Sequence, residues 1–339
     1  MKKNFLFVAA MAACVSFTSC SNDEAENISA VSFLDVESVG LTDIDSRAGI
    51  RADKFTAGET IGLFVYNGAI GSVYNNQAGV STVNVPYKEV SGDWVADQPI
   101  VLSTVEGTVY AYYPYHQDNT NAAAIPVTVV ADQGTGQGAG VSDKDEAQID
   151  YMWADKVDGI SNADNSVEIA MNHALAMVSF KFVQTDNAGL VYPGVGKVSS
   201  IVLKNAQSKS LIKTGSATMN IGDEGKITLG QTATAGITVE PSTATALLGN
   251  NDEDLTPRML VFPVAAISAG DILISVTVDG NEYTVPAPAL AAGYKAGFNH
   301  EYKLKMTGTG LEIDGDVAVK EWQPVPAGEI DVQKPDNAI

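Results

Sequence analysis

The sequence predicts an all-β chain folded as antiparallel β-sandwiches. Short runs rich in Val, Ile, Thr and Tyr recur between clusters of Gly, Asn, Asp and Ser, the pattern of strands joined by turns. Beyond the N-terminal leader, no window of helical length keeps a 3.6-residue apolar period. Sheets that bury one face and close with short turns are the economical way to pack such runs. With 339 residues, about 320 after a leader, the chain exceeds what one core usually supports, so two domains are expected.

The first element is the leader. Lys2 and Lys3 give a basic start, Phe5 to Phe17 an apolar stretch too short to span a bilayer, and Thr18-Ser19 lead into Cys20. This reads as a lipoprotein signal with Cys20 as the acylated first residue; an ordinary secretory signal with an incidental cysteine is the alternative. Ser21 to Asn27 is polar and suits a tether. Ile28, Val31, Phe33, Leu34, Val36, Val39 and Leu41 then make the next segment apolar enough to pair as a strand.

Arg47 and Arg51 stand between that segment and the first body strand. The chain has three arginines, the third being Arg258, so an arginine-specific protease would find accessible bonds near Arg47 and almost nowhere else. Two ordinary linker arginines are the competing reading.

Strands are expected at Ile61 to Tyr66, Thr108 to Tyr113, Ile125 to Val130, Met177 to Phe182, Val198 to Leu203, Met259 to Phe262, Ile272 to Val278 and Tyr302 to Met306. Alternation puts Tyr110 and Tyr112 on one face of a half-buried strand and Tyr113 on the other, which favours core packing over a glycan-stacking platform. Trp94, Trp153 and Trp322 are read as core anchors. The polar stretch Asp155 to Ser166 is the best domain boundary, giving domains at 48–162 and 163–339, and a later cut near Gly189 to Gly196 is nearly as good. Past the Tyr302 strand, Leu311, Ile313, Val317 and Val319, then Val325, Ile330 and Val332, continue an apolar pattern with polar residues between. A removable strand at one end and a spare strand at the other point to strand addition between subunits.

Composition narrows the function. A formal charge of −21 leaves no basic face for nucleic acid. Cys14 and Cys20 both lie in the leader, so the body has no disulfide framework or thiolate ligands. Gln133 to Gly140 reads as a mobile glycine-rich loop without phosphate-binding spacing. His116, His173 and His300 have no zinc spacing, and Asp143 to Glu146 and Asn251 to Asp254 lack a calcium-loop pattern. His173 is expected to satisfy a backbone group. With no nucleophile, metal cluster or acid–base pair, neither a cofactor nor an enzymatic activity is expected.

Taken in order, these features resemble the fimbrillin family of type V pilus subunits. The likeness rests on the leader ending at Cys20, Ser46-Arg47-Ala48, Gly58 to Phe64, Tyr110 to Tyr115, Asp150-Tyr151-Met152-Trp153-Ala154, His173 to Val178, the Tyr302 strand and Glu321-Trp322. It implies two transthyretin-like β-sandwich domains and a precursor with a signal peptide at 1–19, held on the outer membrane by a lipidated prosegment at 20–47. An arginine-specific protease would cut after Arg47, with Arg51 as a competing point. The C-terminal extension, about 311–339, would fill the vacated groove of another pilus subunit in an extracellular fimbrium. A shaft position is implied over a tip. The alternative is a membrane-retained lipoprotein that binds glycans and does not polymerise.

Overall fold

A computed structural model describes residues 32–41, 55–76, 79–135, 148–183, 191–241 and 257–321. Those residues open with β1 (Ser32–Phe33), β2 (Asp35–Leu41), β3 (Thr60–Tyr66), β4 (Val85–Val90), β5 (Asp93–Val95), β6 (Val101–Leu102), β7 (Gly107–Tyr113) and β8 (Ile125–Val129). There follow β9 (Met152–Ala154), β10 (Val157–Ile160), β11 (Ser166–His173), β12 (Ala176–Val183), β13 (Val198–Asn205), β14 (Thr214–Asn220) and β15 (Lys226–Ala233). The last are β16 (Ile237–Val239), β17 (Arg258–Val261), β18 (Ile272–Val278), β19 (Asn281–Pro286), β20 (Phe298–Thr307), β21 (Gly310–Ile313) and β22 (Ala318–Glu321). Among the described residues there is no helix.

The first sheet runs β10-β7-β3-β4-β5-β2-β11-β9, and β9 also pairs with β7, so the ladder returns on itself. Inside lies an apolar cluster of Leu34, Val36, Phe55, Ile61, Leu63, Val65, Tyr87, Trp94, Val109, Ala111, Met152, Val167, Ile169 and Met171 among others. Closure leaves few free edges, which is how such sheets avoid pairing with strangers.

β3 and β7 are buried on both faces, unlike the half-buried strand expected at Tyr110 to Tyr113. Ile61, Leu63 and Val65 point into the first cluster, while Phe64 and Tyr66 point away from it into a second. In β7 the same division sends Val109 and Ala111 one way and Tyr110 and Tyr112 the other. A second layer packs behind these strands, so their near-continuous apolar runs are needed on both sides.

That larger cluster is enclosed by the sheet β17-β12-β20-β21, with β22 also on β20, by the sheet β16-β13-β18-β19, and by β15-β14-β8. In β18 one face, Ile272, Ile274, Val276 and Val278, is fully buried, while on the other Leu273 and Thr277 are half-buried and Ser275 is buried. In β13 a register shift between Val198 and Ser200 turns both Val198 and Ile201 inward despite their odd spacing. Two pairings depart from the expected antiparallel pattern: β2 with β11 and β12 with β20 are parallel. The β14–β15 turn ties the layers together. A Cβ at Gly225, where φ is +63°, would lie 2.1 Å from Cδ1 of Trp153, so only glycine lets the indole lie on that turn.

The glycine-rich stretch expected to be mobile begins with an anchored residue. Gln133 is buried, and its side-chain amide donates to the Leu260 carbonyl at 2.7 Å while its oxygen accepts from Leu260 N at 2.8 Å. Gln148 donates to the Arg258 carbonyl at 2.7 Å and to the Gln133 oxygen at 3.0 Å. The two side chains complete the hydrogen bonding of β17 as a neighbouring strand would. Residues 136–140 of that stretch, and both acidic runs at 143–146 and 251–254, lie outside the described residues.

Candidate assembly site

The first ten described residues form a strand segment seated between partners from three parts of the chain. Ser32 and Phe33 pair antiparallel with Leu102 and Val101. Leu34 N donates to the Ile100 carbonyl and Asp35 N to the Asn165 carbonyl, both at 2.8 Å. β2 then runs parallel to β11, with Asp35 opposite Ser166 and Val36 opposite Val167, and meets β5 where Val36 faces Trp94. A register shift at Val167/Glu168 makes Glu37 the extra residue.

Two side chains from the body hold the same segment by its main chain. Asn165 Nδ2 donates to the Phe33 carbonyl at 2.8 Å. The Tyr87 hydroxyl donates to the Leu34 carbonyl at 3.2 Å and accepts from Ile100 N at 3.3 Å. Burial pushes the Tyr87 phenol up to about 12, so it remains a donor through the neutral range. Because these bonds reach only backbone atoms of the segment, they do not depend on its sequence.

What the groove demands of side chains is brief. Leu34 and Val36 are each 3 % exposed, whereas Phe33, Asp35 and Glu37 face out. Full burial of one such aliphatic side chain contributes about 1.5–3 kcal/mol. The 28–41 segment expected to pair as a strand therefore does so from Ser32 onward; Ile28 and Val31 lie outside the described residues.

The C-terminal residues named from sequence sit elsewhere. Leu311 and Ile313 lie on β21 and pair with Met306 and Leu304, and β22 pairs with the first half of β20, Val319 facing His300. Leu311, Ile313 and Val317 pack partly against the larger cluster of their own chain, while Val319 is 50 % exposed. Lys305 on β20 pairs with Asp314, just past the end of β21, at 2.8 Å. The described part of this extension thus belongs to a different sheet from β2. Cys20, Arg47, Arg51, Val325, Ile330, Val332 and Trp322 lie outside the described residues.

Other chemistry-bearing groups are enclosed. Tyr112 donates to Asn84 Oδ1 at 2.7 Å and Tyr110 to the Gly68 carbonyl at 3.1 Å, and both rings are buried, so neither offers a stacking face to a sugar. Trp94 is a core anchor, as expected; Trp153 is only partly buried. His173, expected to satisfy a backbone group, meets a carboxylate: its Nδ1 lies 2.9 Å from Asp150 Oδ1, both side chains 3 % exposed. Nothing in the spacing of Asp150 and His173 announces that pair, nor does any motif mark Tyr87 and Asn165; each is brought to its partner by the sheet.

Comparison with known proteins places this geometry in a family. The model of the fimbrillin-like family matches residues 46–322. A candidate cell adhesion protein from Bacteroides uniformis superposes with a TM-score of 0.59 at 18% identity, over 86% of this chain and 99% of that one. A second, from Bacteroides ovatus, gives 0.61 at 16% identity over 86% and 98%. A fimbrial protein from Bacteroides vulgatus gives 0.50 at 15% over 86% and 99%. At these identities the likeness is one of fold. Among curated proteins none matches. This chain belongs to the fimbrillin-like family.

Proposed function

We propose that the chain is a structural subunit of a surface pilus, assembled by donor-strand exchange and supporting adhesion. The observation that carries the reading is the place of β2: a segment from the N-terminal side of Arg47 lies between β5 and β11 in a sheet that closes on itself. Cutting after Arg47 or Arg51 would free that segment together with Cys20 and its lipid. The acceptor left behind has β5 and β11 each short of one neighbour, β6 without its partner, and the Leu34 and Val36 sites empty. An extended strand of another subunit restores both the ladder and the burial, so growth needs no nucleotide.

On this reading the precursor is a lipoprotein of the outer membrane and the product an extracellular fimbrium. Its partners are an arginine-specific protease and other pilus subunits. The two apolar clusters are the cores of two transthyretin-like sandwich domains, set back to back across β3 and β7. The glycan-binding alternative has no comparable observation in its favour, given the burial of Tyr110 and Tyr112.

Treating the purified precursor with an arginine-specific protease tests the proposal. Ladders that survive cold SDS are expected, and Arg47→Ala with Arg51→Ala should keep the chain monomeric. Clean cleavage that leaves a stable monomer would sink the idea.

A further inference from the structure

The groove's requirements can be written residue by residue. Position 34 must supply an N–H to the Ile100 carbonyl and an apolar side chain, and position 35 an N–H to the Asn165 carbonyl. Position 36 must be apolar, while 33, 35 and 37 face out and accept any polar residue. In the precursor these positions carry Leu34-Asp35-Val36-Glu37.

The same pattern recurs toward the other end of the chain: Leu311-Glu312-Ile313-Asp314 and Val317-Ala318-Val319-Lys320 carry it but are committed to β21 and β22 of their own sheet, and beyond Glu321 it occurs once, as Ile330-Asp331-Val332-Gln333. Every other placement of the tail's aliphatic residues fails a requirement. Val325 at position 34 brings Pro326 to position 35, where the N–H is missing. Val325 at 36 brings Pro324 there and Gln323 into the Leu34 site. Ile330 at 36 leaves Gly328 in that site, and Val332 at 34 drives Lys334 into the Val36 site. Pro335 falls at position 39 and ends the match.

We propose that Ile330-Asp331-Val332-Gln333 of one copy replaces Leu34-Asp35-Val36-Glu37 in the next, with Ile330 in the Leu34 site and Val332 in the Val36 site. This rests on the strand-exchange reading above and adds its register and direction: the incoming strand runs parallel to β11, as β2 does. Leu311, Ile313 and Val317 stay on their own subunit, and Val325 lies in the connector. From Glu321, the last described residue, the chain to Ile330 reaches at most about 30 Å, which bounds the distance from Glu321 of one copy to the groove of the next.

The body has no cysteine of its own, so an engineered pair reports register cleanly. Asp35 lies opposite Ser166, so Asp331 should as well. Strand neighbours are about 4.8 Å apart, within reach of a disulfide. The cleaved chain carrying Ser166→Cys and Asp331→Cys, assembled and oxidised, should give a ladder that survives boiling without reductant. The pairs Ser166→Cys with Glu329→Cys and Ser166→Cys with Gln333→Cys should give at least tenfold less. Ile330→Asp or Val332→Asp should abolish polymer, and Val325→Asp should leave it intact.

A polymer whose strongest cross-link comes from another tail position, or that survives Ile330→Asp and Val332→Asp together, overturns the register and leaves strand exchange standing. A disulfide-closed monomer overturns it too, by placing the tail in its own groove. An unsubstituted cleaved chain that never polymerises removes the proposed function, and the register with it.

Discussion

The Tyr87 hydroxyl is bonded to the Leu34 carbonyl at 3.2 Å and to Ile100 N at 3.3 Å, so one phenol joins the N-terminal strand to the body. Tyr87→Phe removes both bonds without changing the packed ring. Leaving a buried N–H and carbonyl short of a partner costs about 1–3 kcal/mol. The precursor's melting temperature should fall, and the bond after Arg47 should be cut faster, because the segment opens more often. Alkali should act on the same bond. The phenol's folded value, about 12, lies above its unfolded value of 10, so its contribution is complete below pH 10 and is lost as pH rises through 12. The two-unit difference corresponds to about 3 kcal/mol. Unfolding at pH 8 and pH 11.5 should show a steeper loss in the parent than in Tyr87→Phe.

Acid should act at His300, which is 1 % exposed between β12 and β22 and set edge-on to Tyr294. Burial lowers its value from 6.5 to about 4. The folded chain then binds fewer protons than the unfolded chain between those values. Stability is therefore full above pH 6.5 and falls as pH drops through 4, by about 3 kcal/mol in all. His300→Gln keeps an acceptor for Lys295 N but does not titrate. Urea unfolding of parent and variant at pH 7 and pH 4 should show the parent losing about 3 kcal/mol more; parallel losses would rule out His300 as the source.

Gly225 gives a test of how the layers are joined. Gly225→Ala puts a Cβ against the Trp153 ring and forces an L residue to φ +63°, whereas Gly280→Ala meets a similar φ, +82°, with nothing within 4 Å. The left-handed conformation alone costs about 1–2 kcal/mol. Gly280→Ala should cost that and no more. Gly225→Ala should cost about 2–5 kcal/mol, since overpacking adds about 1–3. It should also shift the fluorescence of Trp153, which Gly280→Ala should leave unchanged.

Runs such as Ile61 to Tyr66 and Ile272 to Val278 announce strands because their side chains alone decide burial, and the structure has strands there. Leu34 and Val36 are legible for the same reason. β15 is not, since its residues are mostly exposed and it is held by the backbone ladder to β14. Nor is the two-sided burial of β7, which depends on a layer arriving from later in the chain. Tyr87, Asn165, Gln133 and Gln148 act on main-chain atoms far away in sequence, so no local pattern constrains them. The parallel entry of β2 beside β11 escapes for a like reason: direction is set by topology, not by residue type.

The C-terminal extension divides at Glu321, and truncation should show two separate effects. A chain ending at Glu321 keeps β21 and β22 on the edge of β20, with Leu311, Ile313 and Val317 on the core and the Lys305–Asp314 pair intact. It loses Ile330 and Val332. After cleavage it should keep the parent's stability, accept a strand from intact subunits and donate none, so that adding it in excess caps ladders at short lengths. A chain ending at Met306 also strips β21 and β22, which bares the edge of β20 and takes the half-buried Leu311, Ile313 and Val317 away from the core they cover. That should cost about 3 kcal/mol and invite edge-to-edge association. If the Glu321 truncation melted as early as the Met306 one, the tail beyond Glu321 would be part of the subunit's own fold. If it still elongated as the intact chain does, the donor would have to lie before Glu321, on β21 or β22.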